Sequence, residues 1–220
     1  DRVLMAAGDR VYARGDMTKP LEMAPGEPRY FGIYRNAVAL KDPVTGEILG
    51  YEAQFVGKGE LVRGESLEDT PNAKGGFTSE YVPATVDILS TREEVRANDR
   101  LLPTPARGFL SYVPRAPEQP VSARVVSIYG GSAFANAAQN QVVAINLGRQ
   151  DGIESGHVLQ LLTGGQRIKD TTDEAKSMIK LPSEKNGMAM VFRTFDRVSY
   201  ALILSVRNQV RVGDTLVNPR

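Results

Sequence analysis

Apolar and polar residues alternate in short bursts along this chain, and the bursts are separated by Gly, Pro, Asp and Asn. That is the pattern of many short β-strands joined by turns. One burst places Ala84, Val86, Ile88 and Ser90 on one face, and a second places Ser199, Ala201, Ile203 and Ser205 in the same way. The outward positions differ, with Thr85 and Asp87 in the first burst and Tyr200 and Leu202 in the second. The second strand is therefore predicted to be covered on both sides, and the first to show one side to water.

The two bursts open a repeat. Residues 88–102 lie without gaps over residues 203–217, and Ile88, Leu89, Ser90, Arg92, Val95, Arg96, Asp99 and Leu101 are identical to Ile203, Leu204, Ser205, Arg207, Val210, Arg211, Asp214 and Leu216. Roughly one identity would arise by composition alone, so the match points to a duplicated unit. Asn98 is exchanged for Gly213 just before the shared Asp, and these are the two residue types that best tolerate a left-handed backbone in a turn. Looser correspondences link Arg10–Gly15 to Val143–Gly148 and Tyr30–Tyr34 to Val158–Leu162.

A mostly-β protein follows, built of two tandem, duplicated small barrel-like or sandwich-like units with short helices in loops. The first unit spans residues 1–104, a proline-rich connector 105–120, and the second unit 121–220. Segments 42–47 and 151–156 carry the Gly, Pro and Asp of turns, and Gly59 fits a bulge in a strand around Tyr51–Val62. Segments 65–80 and 164–187 read as mobile. The second of these is expected to hold one or two helical turns, since Thr171 and Glu174 have capping-box spacing, Lys176 and Lys180 lie towards the far end, and Pro182 stops the run. The alanine-rich stretch 132–138 reads as loop or short helix.

Charge and composition narrow the functions. Lys and Arg number 27 against 26 Asp and Glu, a balance that gives no bulk electrostatic case for nucleic acid or an anionic membrane. The chain has no cysteine, which excludes disulfides, thiolate nucleophiles and Cys-type zinc sites. Its longest apolar run, near Tyr200–Leu204, is too short to span a bilayer. A first residue that is Asp rather than Met is the expected mark of a processed or trimmed chain.

No residue set fits a reaction centre. His157 is the only histidine, beside Gly156 at the start of a strand, and no Gly-x-Ser-x-Gly elbow occurs. The carboxylate pairs on offer are Asp42 with Glu47 across a turn, Glu93 with Glu94, and Asp173 with Glu174 at a helix start. Glu93 and Glu94 become Asn208 and Gln209 in the second copy. Gly57-Lys58-Gly59 runs into Glu60 and lacks the P-loop frame. Arg92, Arg96, Arg100 and Arg107 form a basic cluster interleaved with acids, the pattern of a charged sheet rim. Tyr12, Tyr30, Phe31 and Tyr34 read as core and rim of the first unit. Catalytic, cofactor and metal residues are all expected to be none.

Four segments together, residues 8–15, 40–52, 143–159 and 187–202, resemble the region downstream of the LysM module in proteobacterial LysM-domain, peptidoglycan-binding proteins. The resemblance runs from about residue 8 to 219 and rests on structural motifs. It implies an exported, periplasmic or cell-wall-associated, non-enzymatic envelope module, acting in wall attachment or as a scaffold or spacer. Peptidoglycan would be gripped through a LysM module lying outside this sequence, and an envelope protein is a further implied partner. The alternatives are a peptidoglycan-acting glycan hydrolase and a protein-interaction adaptor in an envelope assembly.

Overall fold

The computed structural model describes residues 4–16, 18–71, 75–104, 112–130, 136–165, 167–172 and 177–219. Strands dominate, and among the described residues the one helical element is a 3-10 turn at Arg149–Asp151. Among the described residues no helix is long and apolar enough to cross a membrane. The chain divides into two compact units, residues 1–37 with 53–108, and residues 38–52 with 109–220.

The first nine strands are β1 (Leu4–Met5), β2 (Arg10–Ala13), β3 (Tyr30–Lys41), β4 (Ile48–Arg63), β5 (Ser66–Pro71), β6 (Phe77–Val82), β7 (Ala84–Thr91), β8 (Val95–Arg96) and β9 (Arg100–Pro103). In the first unit a five-stranded sheet has the order β2-β7-β4-β3-β9, and β1 pairs separately with β8. Phe31, Ile33, Val56, Leu61, Val86 and Ile88 form its buried interior. The expected alternation of β7 holds from Ala84 to Ile88 and then breaks, leaving Ser90 exposed. The cause is a bulge: Gly59 pairs with Ile88 but Lys58 pairs with Ser90, so Leu89 is an extra residue that reverses the facing beyond it. Gly57 and Gly59 are both required there. A Cβ on Gly57 would collide with the Ser90 carbonyl, and one on Gly59 would lie 2.7 Å from Cγ1 of Val86.

The remaining strands are β10 (Ser122–Ile128), β11 (Val142–Ile145), β12 (Val158–Thr163), β13 (Arg167–Lys169), β14 (Met178–Lys180), β15 (Glu184–Thr194), β16 (Ser199–Val206) and β17 (Thr215–Val217). Six of them close into a barrel, β10-β11-β16-β15-β12-β17, in which β10 pairs with both β17 and β11. Ala123, Val125, Val143, Leu161, Ile203 and Leu216 are fully buried inside it. At roughly 1.5–3 kcal/mol for each buried large aliphatic side chain, this interior dominates the stability of the unit. A second apolar cluster lies on the outer wall, where Leu40 and Leu49, on either side of the turn at the tip of the β3–β4 hairpin, pack with Val126, Ala144, Val198 and Tyr200. Ala144 is small enough to let the tip approach, and it is fully buried.

Several expectations are corrected. The sequence places residues 38–52 with the first unit, whereas they pack with the second, because Leu40 and Leu49 find their apolar cover there. Segment 65–80, read as mobile, is a hairpin of β5 and β6 with six paired positions, Ser66↔Val82 to Pro71↔Phe77. In segment 164–187, Lys180 belongs to a β13–β14 hairpin and not to a helix end; Ile168 faces Ile179 across it. Residues 173–176 and 132–135, which carry the rest of the helix expectations, lie outside the described residues. Residues 112–120 are tied to the second unit: the Asn218 side chain donates to the carbonyls of Pro117 and Gln119, 3.0 Å each, and accepts from the Val121 N–H at 2.7 Å.

The predicted contrast between β7 and β16 is weaker than expected. Thr85 is buried and Asp87 half-buried against Arg10, while Tyr200 and Leu202 are also half-buried. The looser sequence correspondence of β2 with β11 is also displaced by one residue. Arg10–Ala13 lie opposite Asp87–Ala84, and Val142–Ile145 lie opposite Leu202–Ser199. By register Arg10 aligns with Val142 and not with Val143, and Val11 and Val143 each face the interior of their own unit.

Candidate functional site

The acids singled out from sequence are employed by the backbone and by arginines. Asp42 Oδ1 accepts the N–H groups of Val44 and Thr45 at 2.7 and 3.0 Å, and its Oδ2 accepts from the Asn146 amide at 2.7 Å. The Asn146 bond, then those from the turn, hold the Asp42 carboxyl below the usual carboxylate range. Glu47 pairs with Arg197 at 2.7 Å. Glu93 accepts from the Gln54 amide and faces Arg35, and Glu94 faces Arg96 at 3.9 Å. Asp173 and Glu174 lie outside the described residues.

Arg35, which the sequence did not single out, makes a bidentate pair with Asp99, Nε to Oδ1 at 2.7 Å and Nη2 to Oδ2 at 2.6 Å. Of the basic cluster, Arg92 lies over the Phe55 ring at 5.6 Å and Arg96 gives its N–H to Asp99, while Arg107 is outside the described residues. Among the four aromatic residues assigned to core and rim, Phe31 is buried, Tyr34 half-buried edge-on to Phe55, and Tyr12 and Tyr30 are exposed.

His157 is 5% exposed, and its Nδ1 accepts the Glu154 N–H at 3.2 Å. Burial first, and the nearby Arg115 second, push its pKa below 6.5, against the opposing pull of Glu154 and Glu118. The unfolded chain therefore takes up a proton before the folded one does. Stability is full above about 6.5, falls as the pH drops below that value, and levels off beneath the folded pKa. Thermal midpoints measured between about pH 7.5 and 5 are expected to show this loss, and His157→Asn, which keeps an acceptor for Glu154, is expected to flatten it.

The arrangement best suited to meeting a ligand is an aromatic cluster on the barrel's outer wall, around Tyr200. Strand β16 points Tyr200 outward because Ala201 and Ile203 take the inward positions. The ring meets Tyr129 edge-on at 5.7 Å and Phe195 edge-on at 5.8 Å, and stacks on Phe192 at 6.4 Å. Phe192 reaches this wall because it is the extra residue of a bulge between the pairs Val191↔Ala201 and Arg193↔Tyr200.

Glu52 Oε2 accepts the Tyr200 hydroxyl at 3.2 Å and the Ser127 hydroxyl at 3.1 Å. Burial first, and the Glu52 charge second, push the Tyr200 hydroxyl up, so it remains a protonated donor at all ordinary pH. Tyr129 and Phe195 stay 44% and 39% exposed, and Arg193 lies over the Phe195 ring at 5.2 Å. Exposed ring edges, a carboxylate and a guanidinium are the elements of a surface for a flat apolar face carrying hydroxyl or amide groups. Sequence reasoning missed Glu52, which is 148 residues from its partner. The available signal was Tyr200 standing at the position that the sequence alignment sets against Thr85.

In the first unit, a shallow open groove is lined by Arg10, Tyr12, Arg63, Val82, Pro83 and Thr85. Its arginines carry ion pairs, Arg10 with Asp87 and Arg63 with Glu68. Among the described residues no group of three or more His, Asp or Glu stands close enough to hold a metal ion. Compared with known protein families, the chain matches no family model, and no curated protein matches it either.

Proposed function

We propose that the chain is a non-enzymatic module of the bacterial cell envelope, a doubled β-scaffold that presents surfaces to partners. The observation that carries the doubling is the equivalence of the two sheets. The order β2-β7-β4-β3-β9 corresponds strand for strand, in the same chain sequence, to β11-β16-β15-β12-β17. Both bulges recur at equivalent places, with Leu89 matched by Leu204 and Val62 by Phe192. Equivalent turns use equivalent bonds: Gly8 N–H to Ile88 carbonyl at 2.8 Å, and Asn140 N–H to Ile203 carbonyl at 2.9 Å. Asp99 and Asp214 each accept the N–H three residues back at 2.8 Å. Bulges are specific features of a fold, so their joint recurrence favours common descent over coincidence.

The scaffold reading draws support from the occupation of Asp42, Glu47, Glu93 and His157 in turns, ion pairs and a buried backbone bond. The envelope setting, periplasmic or cell-wall-associated, rests on the resemblance to regions downstream of LysM modules. In that setting a LysM module supplies the peptidoglycan grip, and this chain supplies spacing or a protein partner's docking surface.

The purified chain, incubated with peptidoglycan sacculi, is expected to release no soluble muropeptides. Release that disappears on Asp42→Ala or Glu47→Ala would establish the hydrolase reading instead. Retention of the chain on sacculi, weakened by a Tyr129→Ser, Phe195→Ser double replacement, would place a glycan grip on the Tyr200 cluster. Passage through sacculi together with capture of an envelope protein would assign the scaffold role.

A further inference from the structure

The two units differ in one respect that the doubling makes conspicuous: one sheet is closed and the other is not. In the barrel, β10 fills the space between β17 and β11, with Ala123 opposite Leu216 and Ile128 opposite Val143. Val143 and Leu216 are fully buried as a result. Their counterparts by register are Val11 of β2, which faces Val86 as Val143 faces Ala201, and Leu101 of β9, which faces Ile33 as Leu216 faces Leu161. Val11 and Leu101 are only half-buried, although both pack against the same two apolar clusters of the first unit. Two edge strands thus face one interior, and among the described residues neither has a second ladder partner.

We propose that the slot between β2 and β9 receives a sixth strand, antiparallel to both, formed by polypeptide N-terminal to β1; this rests on the doubled-unit reading. Chain order argues for that occupant over a foreign one. In the second unit the closing strand ends at Ile128, nine residues ahead of Ala137, which bridges to Val210. Met5 bridges to Val95 in the equivalent way. A strand at the same distance ahead of Met5 enters the slot with the polarity of β10. Its inward positions need small or β-branched side chains, as Ala123, Val125 and Ile128 are, because the interior is already filled in part by Val11, Leu101 and Val86. Main-chain bonds to two edges supply the affinity, and alternate side chains supply the register.

The test supplies a sixth strand to the 220-residue chain in two ways: a free peptide with the sequence of residues 122–128, and a copy of residues 119–136 joined directly ahead of Met5. The fusion is expected to slow hydrogen exchange of the β2 and β9 amides by about tenfold, and the peptide in excess to do so more weakly. Both effects should vanish when the added strand carries the equivalent of Val125→Asp. No protection from the fusion would overturn the proposal. Protection of β2 and β9 in a dimer of the unmodified chain would overturn it too, by assigning the slot to a second copy. Val125→Asp within the second unit's own β10 serves as the control on the doubling. Faster exchange at Val143 and Leu216 there, with no protection by the fusion, would leave the matched sheets standing and reject only the sixth strand.

Discussion

Gly187→Ala is expected to destabilise the second unit by about 3 kcal/mol or more, the range in which a small domain loses much of its folded population. A Cβ at this position would overlap the Ser205 carbonyl and approach the Val206 Cα to 2.9 Å. Both obstacles are backbone, so no side-chain rotation relieves them. The clash exists because β15 and β16 are drawn together next to the bulge at Leu204, where Met188 faces Ser205 and Ala189 faces Ile203. Gly57→Ala should act in the same sense on the first unit, since its Cβ would meet the Ser90 carbonyl at the equivalent bulge. Gly50 has nothing within 4 Å of a Cβ, and Gly50→Ala is expected to change stability by less than about 0.5 kcal/mol. Denaturant titrations of the three variants read this directly. A Gly187→Ala midpoint equal to that of Gly50→Ala would mean that the strands are further apart than described.

Asp99→Ala is expected to cost about 3 kcal/mol, against about 1 kcal/mol for Asp214→Ala. Each carboxylate caps its turn in the same way, Asp99 on Arg96 and Asp214 on Arg211. Asp99 also holds Arg35, whose side chain is 15% exposed while that of Asp99 is 5% exposed. Removing Asp99 leaves the half-buried Arg35 with only the Glu94 carbonyl and the more distant Glu93 carboxylate, which accounts for the larger loss. Burial alone would raise the Asp99 pKa, but the Arg35 bond and the Arg96 N–H outweigh it and leave it below 3.8. The stabilisation is therefore fully present above the unfolded value and is lost as the pH falls through the folded one. Acid titration of stability should show that loss in the parent chain and a smaller one in Asp99→Asn, where the other lowered carboxylates still contribute. Equal costs for the two alanine variants would reduce Arg35 to a surface ion.

Much of the fold is readable from residues 84–103 and 199–217, because a period of two on a half-buried strand leaves its mark in sequence. The exchange of Asn98 for Gly213 likewise reports backbone geometry directly, with φ of 73° and 92°. Hairpins β5–β6 and β13–β14 escaped detection because apolar residues are sparse in β5 and β6, and because β13 and β14 are only three residues each. Such two-stranded ribbons bury little, as the exposure of Leu67 and Phe77 shows, so hydrophobic periodicity is weak there. The Arg35–Asp99 pair and the Tyr200–Glu52 contact join residues 64 and 148 positions apart, and one sequence carries no record of such proximity. The destination of the hairpin tip was hidden for the same reason. Leu40 and Leu49 look like ordinary strand residues, and only the small Ala144 on the barrel wall explains where they pack.

Because the second unit is assembled from two separated stretches of chain, synthesis and assembly run out of step. Leu40 leaves the ribosome long before Val198, its neighbour in the finished protein. At about 5–20 residues per second, that interval is on the order of ten to thirty seconds. Until Val198 and Tyr200 emerge, the apolar cover of the tip is incomplete, a natural target for a holding chaperone or for self-association. Late closure of this long-range contact, more than local strand pairing, should set the pace at which the nascent protein matures.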